Sequence, residues 1–173
     1  HAAAYVMMAW RIAYCKVYYP LAYYTAFFSI RATAFSYELM CQGKEHLEHQ
    51  IEDYRRRKDS LSNKEQDTLR DMRIVQEMYA RGFEFMKLDI YRAHSRNFQI
   101  IDGKIMPSFS SIDGMGDKAA EQIMEAAKDG PFLSKDDLKS RSKVPQGVLD
   151  RMGEMGLLGD IPESNQYSLF DLM

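Results

Sequence analysis

Gly114 and Gly116 stand on either side of Met115, directly before Asp117 and Lys118, where a helix-favouring run begins and continues to about residue 128. Glycine tolerates positive φ and lets a backbone approach another surface closely. A helix that opens straight after such a turn points unpaired N–H groups and the positive end of its dipole outward. Those residue types in that order suit the binding of one phosphate oxygen cluster, with no need for a basic side chain. A second, degenerate copy of the apolar-Gly-x-apolar-Gly pattern runs through Met152, Gly153, Glu154, Met155 and Gly156. The same spacing also describes an ordinary tight loop between helices, and the residues alone leave both readings open.

Charge limits what such a turn can hold. The chain has 173 residues and a formal net charge of −2, with an isoelectric point near 6.1. Between residues 103 and 160 there are eight Lys/Arg against ten Asp/Glu. This is not the basic footprint of a protein that holds nucleic acid by bulk electrostatics. Any such contact must rest on backbone amides and a few placed cations. Cys15 and Cys41 have no metal-ligand spacing and no neighbouring pair of histidines; they read as buried or partly buried free thiols of a reducing compartment. Arg11, Lys16 and Arg31 break the N-terminal apolar stretch before it reaches membrane-spanning length. No signal peptide is evident. The chain starts on His1 inside a helical pattern, which leads us to expect a piece of a longer protein.

The elements that would position these residues are mostly helical. Residues 1–19 favour helix, with Tyr5, Met8, Ile12 and Cys15 on one stripe. Pro20 suits the first turn of a second helix over about 21–30, and the aromatic richness of this pair predicts that it is mostly buried. Residues 31–62 are amphipathic, with Leu39, Leu47, Ile51 and Tyr54 on the apolar side. Their Arg55, Arg56, Arg57 and Lys58 cluster reads as a solvated helix end. Ser62 and Asn63 with Gln66 or Asp67 predict a cap for a helix over 64–81, ended by Gly82. Residues 83–89 read as extended. Asp102 and Gly103, between two short apolar runs, predict a β-hairpin. Further helices are expected at about 117–128, 135–141 (Ser134 as cap, Asp137 three residues on), 145–152 and, briefly, 155–158. Past Pro162 the chain has no room for a core and is expected to be mobile. Within it, Gln166 precedes Leu169 and Phe170 by three residues; these two large anchors fit either a peptide that docks in a partner's groove or a tail that packs back.

Taken together, three segments resemble one family. The glycine turn with its helix resembles the helix-hairpin-helix motif, which grips nucleic acid by its backbone without reading sequence. The run from His1 to Tyr14, with Tyr19 and Pro20, is similar to the fingers of bacterial C-family replicative DNA polymerases. The segment from Phe98 to Phe132 is similar to their duplex-binding region, and Gln166 to Phe170 to their sliding-clamp-binding peptide. The terminal placement of that peptide points to the PolC type. The resemblance implies a mainly α fold: helical fingers (1–82), a small β-hairpin with a tandem helix-hairpin-helix duplex-binding domain (83–161), and a flexible tail (162–173).

The resemblance also implies roles. His1 and Tyr5, one turn apart, would lie beside the incoming deoxynucleotide, although Tyr5 also reads as a core aromatic and His1 as a frayed end. Gly114, Gly116, Asp117 and Lys118 would hold a phosphate of duplex primer-template DNA, with Lys118 as a point charge and Met115 as an apolar plug. Gly153 and Gly156 would form the second hairpin, where Glu154 repels phosphate and leaves a purely structural role open. Gln166, Leu169 and Phe170 would anchor the sliding clamp. The catalytic palm and its two Mg²⁺ would lie outside these residues, so no catalytic or metal-binding residue is expected here, and the enzyme would be cytoplasmic, with no membrane partner. A stand-alone, non-enzymatic DNA-binding module and a purely structural helical protein are the alternatives.

Overall fold

The computed structural model describes residues 1–164. Its described part is mainly α, with eight α-helices and one two-stranded hairpin. Helix α1 (Ala2–Tyr18) ends at Tyr19, and α2 (Pro20–Ile30) starts at once with its proline in the first turn. Proline needs no N–H there and its fixed φ suits the helix start. The amphipathic stretch that follows divides into α3 (Tyr37–Met40) and α4 (Lys44–Arg56). Helix α5 (Asn63–Ala80) opens with a reciprocal capping box: the Ser62 hydroxyl accepts from the Glu65 amide, and the Glu65 carboxylate accepts from the Ser62 amide at 2.9 Å. The cap partner is thus Glu65 rather than Gln66 or Asp67, because the side chain at the third helical position reaches back over the cap. Gly82, at φ +83°, ends this helix.

The hairpin pairs β1 (Gln99–Ile101) with β2 (Lys104–Met106) in antiparallel register, Ile100 opposite Ile105. Asp102 and Gly103 both have positive φ, at 51° and 74°, the two-residue turn whose twist matches paired strands. From the expected extended segment, Phe85 makes one parallel bridge to Ile105. Alternate residues of a strand face opposite ways, and here that alternation divides the protein. Ile105 packs into a core formed with Tyr24, Phe28, Leu47, Met72 and Met78. Its neighbour Met106 packs into a second core with Phe109, Ile112, Ile123, Leu138 and Met152. Both side chains are fully buried. Burying one such side chain stabilises by about 1.5–3 kcal/mol, so β2 ties the two cores together. Phe28 organises the first, with ring centroids of Phe35, Phe85 and Phe98 at 5.2, 5.4 and 5.7 Å. Helices α6 (Asp117–Lys128), α7 (Lys135–Ser142) and α8 (Gln146–Glu154) enclose the second.

Four expectations are corrected. Helix α1 buries no residue; it touches the rest mainly through α2, so its stripe of Tyr5, Met8, Ile12 and Cys15 faces outward. Of this pair of helices only α2 sends large aromatics, Tyr24 and Phe28, into a core. Cys15 is accordingly exposed, whereas Cys41 is partly covered and burial pushes its thiol well up. Residues 155–158 are turns rather than a helix, because Gly156 at φ +66° reverses the chain after α8. Finally, the stretch after α8 is anchored as far as Glu163: the amides of Lys135 and Asp136 at the start of α7 donate to the carbonyls of Pro162 (2.8 Å) and Glu163 (3.2 Å).

Candidate nucleic-acid interface

The first glycine turn is mounted on buried apolar residues. Phe109, Ile112 and Met115 are buried in the second core. Met115 is thus buried behind the turn, where the resemblance placed an apolar plug. A short 3-10 turn (Phe109–Ser111), rather than a full helix, leads into the loop. The amides of Phe109 and Ser110 donate to the carbonyls of His94 and Ser95 at 3.0 and 2.9 Å, which fixes its entry.

Three polar contacts hold the loop from behind. Arg151 on α8 donates from Nη1 to the Asp113 carbonyl at 2.9 Å. Its Nε lies 3.4 Å from Glu38 Oε1. The Ser36 hydroxyl donates to the Asp113 carboxylate. Burial raises the Glu38 carboxyl, against the pull of Arg151. Gly114 follows at φ +83°; a Cβ there would lie 3.7 Å from Val148 and 3.8 Å from Arg151, ordinary contacts. It is the positive φ that requires glycine at this position.

The front of the loop is open. Gly116 is the N-cap of α6 at φ −73°, ψ 151°, and supplies no side-chain hydrogen bond to the first turn. The amide of Ala120 donates to the Gly116 carbonyl at 3.0 Å, while the amides of Asp117, Lys118 and Ala119 have no acceptor among the described residues. A Cβ built on Gly116 would meet nothing within 4 Å. Gly114, Gly116, Asp117 and Lys118 are all exposed. Arg96 flanks the turn, with Nη2 3.1 Å from Asp117 and 3.4 Å from Glu121. Such exposed pairs are worth little in stability, but they set a guanidinium beside the free amides. Lys118 makes no ion pair among the described residues. This arrangement can accept an anionic oxygen on backbone donors, with cations at either side.

The second copy is built differently. Gly153 lies inside α8 and Gly156 in the turn after it. The amides of Gly156 and Leu157 donate to the carbonyls of Gly153 and Met152, both at 2.9 Å. No helix opens after Gly156 among the described residues, so this turn presents no free first-turn amides. Lysines lie near it instead: the would-be Cβ of Gly153 is 3.8 Å from Lys135 Nζ and that of Gly156 is 3.3 Å from Lys87 Nζ.

His1 and Tyr5 meet edge to face, ring centroids 6.0 Å apart, and Tyr5 is 68% exposed on α1. No hydrogen bond, ion pair or ring contact among the described residues joins them to the glycine turn. Gln166, Leu169 and Phe170 lie outside the described residues. Sequence reasoning missed Arg151, Ser36 and Arg96, whose part in the site depends on contacts 77 and 38 residues apart in the chain for Ser36 and Arg151. It also missed Arg141, which donates to the carbonyls of Ala126, Gly130 (3.2 Å) and Pro131 (3.3 Å) and covers the Phe132 ring at 4.5 Å. Arg141 thereby closes the C-terminal end of the helix that carries the free amides. Among the described residues no group of three His, Cys, Asp or Glu is placed to hold a metal, and no helix is long and apolar enough to cross a membrane.

A family model described as a helix-hairpin-helix motif matches residues 82–167. The chain is similar to proteins named DNA polymerase III PolC-type. It is 44% identical over 173 residues to that of Streptococcus agalactiae serotype III (strain NEM316). It is 45% identical to those of Streptococcus suis (strain 98HAH33) and Streptococcus pneumoniae serotype 2 (strain D39 / NCTC 7466). In each case the match covers 99% of this chain and 12% of the relative. The chain thus spans about an eighth of the length of the curated relatives it matches.

Proposed function

We propose that this chain, which belongs over 99% of its length to the PolC-type DNA polymerase III family, is a non-catalytic arm of a DNA-directed DNA polymerase. Its task is to hold the duplex primer-template behind the site of nucleotide addition. The observation that carries this reading is the set of free amides at Asp117, Lys118 and Ala119 behind an uncapped glycine, within the region matched by the helix-hairpin-helix model. A phosphate oxygen received there is bound regardless of base sequence, as a replicase requires. Gly114 shapes the turn, Gly116 lets the strand approach, and Lys118 and Arg96 supply local positive charge. Asp117 keeps Arg96 in place. Gly153 and Gly156 support the fold and lend no amides, because Gly153 lies inside α8 and the Gly156 amide is already bonded.

The same reading assigns residues 1–82 to the fingers, with His1 and Tyr5 beside the incoming deoxynucleotide, and 83–161 to the duplex grip. Residues 162–173 form the tail, with Gln166, Leu169 and Phe170 as sliding-clamp anchors. Nucleotidyl transfer and its Mg²⁺ belong to the portion of the polymerase outside this chain, and the enzyme works in the cytoplasm. A stand-alone DNA-binding module is the competing reading; the match to 12% of a much longer relative favours the arm.

The test is Lys118→Ala in a polymerase carrying this segment. Lys118 is exposed and unpaired among the described residues, so the fold is expected to survive. Duplex affinity should fall evenly across sequences, and the slope of log affinity against log salt should shrink by about 1. An unchanged slope refutes the phosphate assignment.

A further inference from the structure

Helix α1 is the feature that the duplex grip leaves unexplained. Its 17 residues bury nothing, yet only Arg11 and Lys16 among them are charged. Tyr5, Val6, Met7, Met8, Trp10, Ile12, Tyr14 and Val17 are all more than half exposed, Trp10 at 73%. A helix apolar on every side is stable only inside a larger body. It lacks the charged face of a helix that lies on a membrane surface. Beside it, Ile12, Cys15 and Tyr19 form a groove of about 670 Å³ with Tyr23, Phe27 and Ile30 of α2. Arg11 and Arg31 line the same groove and make no ion pair among the described residues. Among the described residues, polar ties to α5 and its cap hold only the C-terminal end of α1: Lys16 pairs with Glu77 at 2.8 Å, and Arg81 donates to the Lys16 carbonyl at 3.0 Å.

We propose that this groove seats an apolar, carboxylate-flanked segment of the polymerase chain that lies outside these residues. This rests on the polymerase reading above. The relatives are about eight times longer than the part this chain matches, so a large body must attach somewhere. The two cores described here are already closed around α2–α5 and α6–α8. The α1–α2 face is the large apolar surface left over, and its two free guanidinium groups select acidic flanks over basic ones.

Cys15 provides the readout, because its thiol is exposed in this groove. The full polymerase, without DNA or nucleotide, is pulsed with N-ethylmaleimide, and modification of the Cys15 peptide is followed by mass spectrometry against the urea-unfolded protein. Cys15 should react about 100-fold more slowly in the native enzyme, and equally slowly when the protein is diluted by roughly two orders of magnitude. Reaction at nearly the unfolded rate overturns the proposal. Protection that disappears on dilution also overturns it, because a second copy would then be the occupant. Ile12→Glu should restore fast labelling, and continued protection in that variant would place the cover elsewhere. Primer extension by the same preparation separates the two failures: an active polymerase with an open Cys15 sinks this inference alone.

Discussion

Replacing Gly116 by serine should make the protein more stable and its grip on DNA weaker. Gly116 sits at the N-cap in ordinary extended geometry, φ −73° and ψ 151°, with open space where a Cβ would go. Serine therefore enters without strain. Its hydroxyl can accept from first-turn amides, which is worth a few tenths of a kcal/mol over glycine. Loss of glycine's freedom in the unfolded chain adds about 0.4–1 kcal/mol. The sum, about 0.6–1.3 kcal/mol, raises Tm by roughly 1–5 °C for a protein of this size. The same hydroxyl now occupies donors that a phosphate needs, and a hydrogen bond to a charged acceptor is worth about 1.5–3 kcal/mol. Duplex affinity should then fall by about one to two orders of magnitude. Gly116→Asp should strengthen both effects, because a carboxylate favours the helix dipole and repels phosphate. Thermal unfolding of the chain and duplex binding by a polymerase carrying it measure the two signs. A raised Tm with unchanged DNA affinity refutes the amide site; a lowered Tm refutes the reasoning about the cap.

Arg141→Ala should cost about 2–3 kcal/mol, because it leaves carbonyls at the end of α6 without a donor and bares the Phe132 ring. Arg141→Lys should recover little, since an ammonium cannot serve three carbonyls and a ring at once; chemical denaturation that finds either variant neutral contradicts this. Acid should loosen α1 from α5. Burial alone would raise the Glu77 carboxyl, but hydrogen bonds from Lys16 and Tyr24 outweigh it and hold the group below the usual carboxylate range. Burial, then Glu77 itself, pushes the Tyr24 phenol up to about 12. With its folded value below its unfolded one, Glu77 contributes fully above about pH 4.3 and loses that contribution as pH falls through the folded value; Glu77→Gln should flatten this part of the acid profile of Tm. In the full polymerase, Leu169→Ala with Phe170→Ala should abolish sliding-clamp binding, and Tyr5→Ala should raise the KM for deoxynucleotide; either assignment fails if its own readout does not move.

Periodicity and punctuation made the helices legible. Pro20, Ser62, Ser134 and the Asp102–Gly103 turn each act within a few residues of where they stand, so their effects can be read from the chain. What failed depended on the partner of a surface. The apolar stripe of α1 looks the same in sequence whether its cover lies in this chain or outside it, and here no described residue covers it. The glycine turn was legible for a similar local reason, because Gly114 needs positive φ and Gly116 leaves the cap open. Its second copy is built differently, because glycine spacing does not reveal which end of a helix a turn adjoins. Gly116 precedes α6, whereas Gly156 follows α8. Gly114 and Gly116, two residues apart, therefore leave amides free at a helix start, whereas Gly153 and Gly156, three apart, consume them at a helix end.

An amide site is compatible with the charge of the chain. A surface that binds a duplex through many lysines and arginines needs a clear excess of them, and its affinity falls steeply with salt. Here the net charge is −2, and the cations nearest the free amides are Lys118 and Arg96, the second already shared with Asp117 and Glu121. Amide donors release no counterions from the protein side and carry no charge to be screened. A grip built on them can be indifferent to sequence and still weak by itself. In the proposed role an acidic composition is compatible with DNA binding, because the whole polymerase would set the affinity and this segment would contribute the position of a strand rather than the bulk of the attraction.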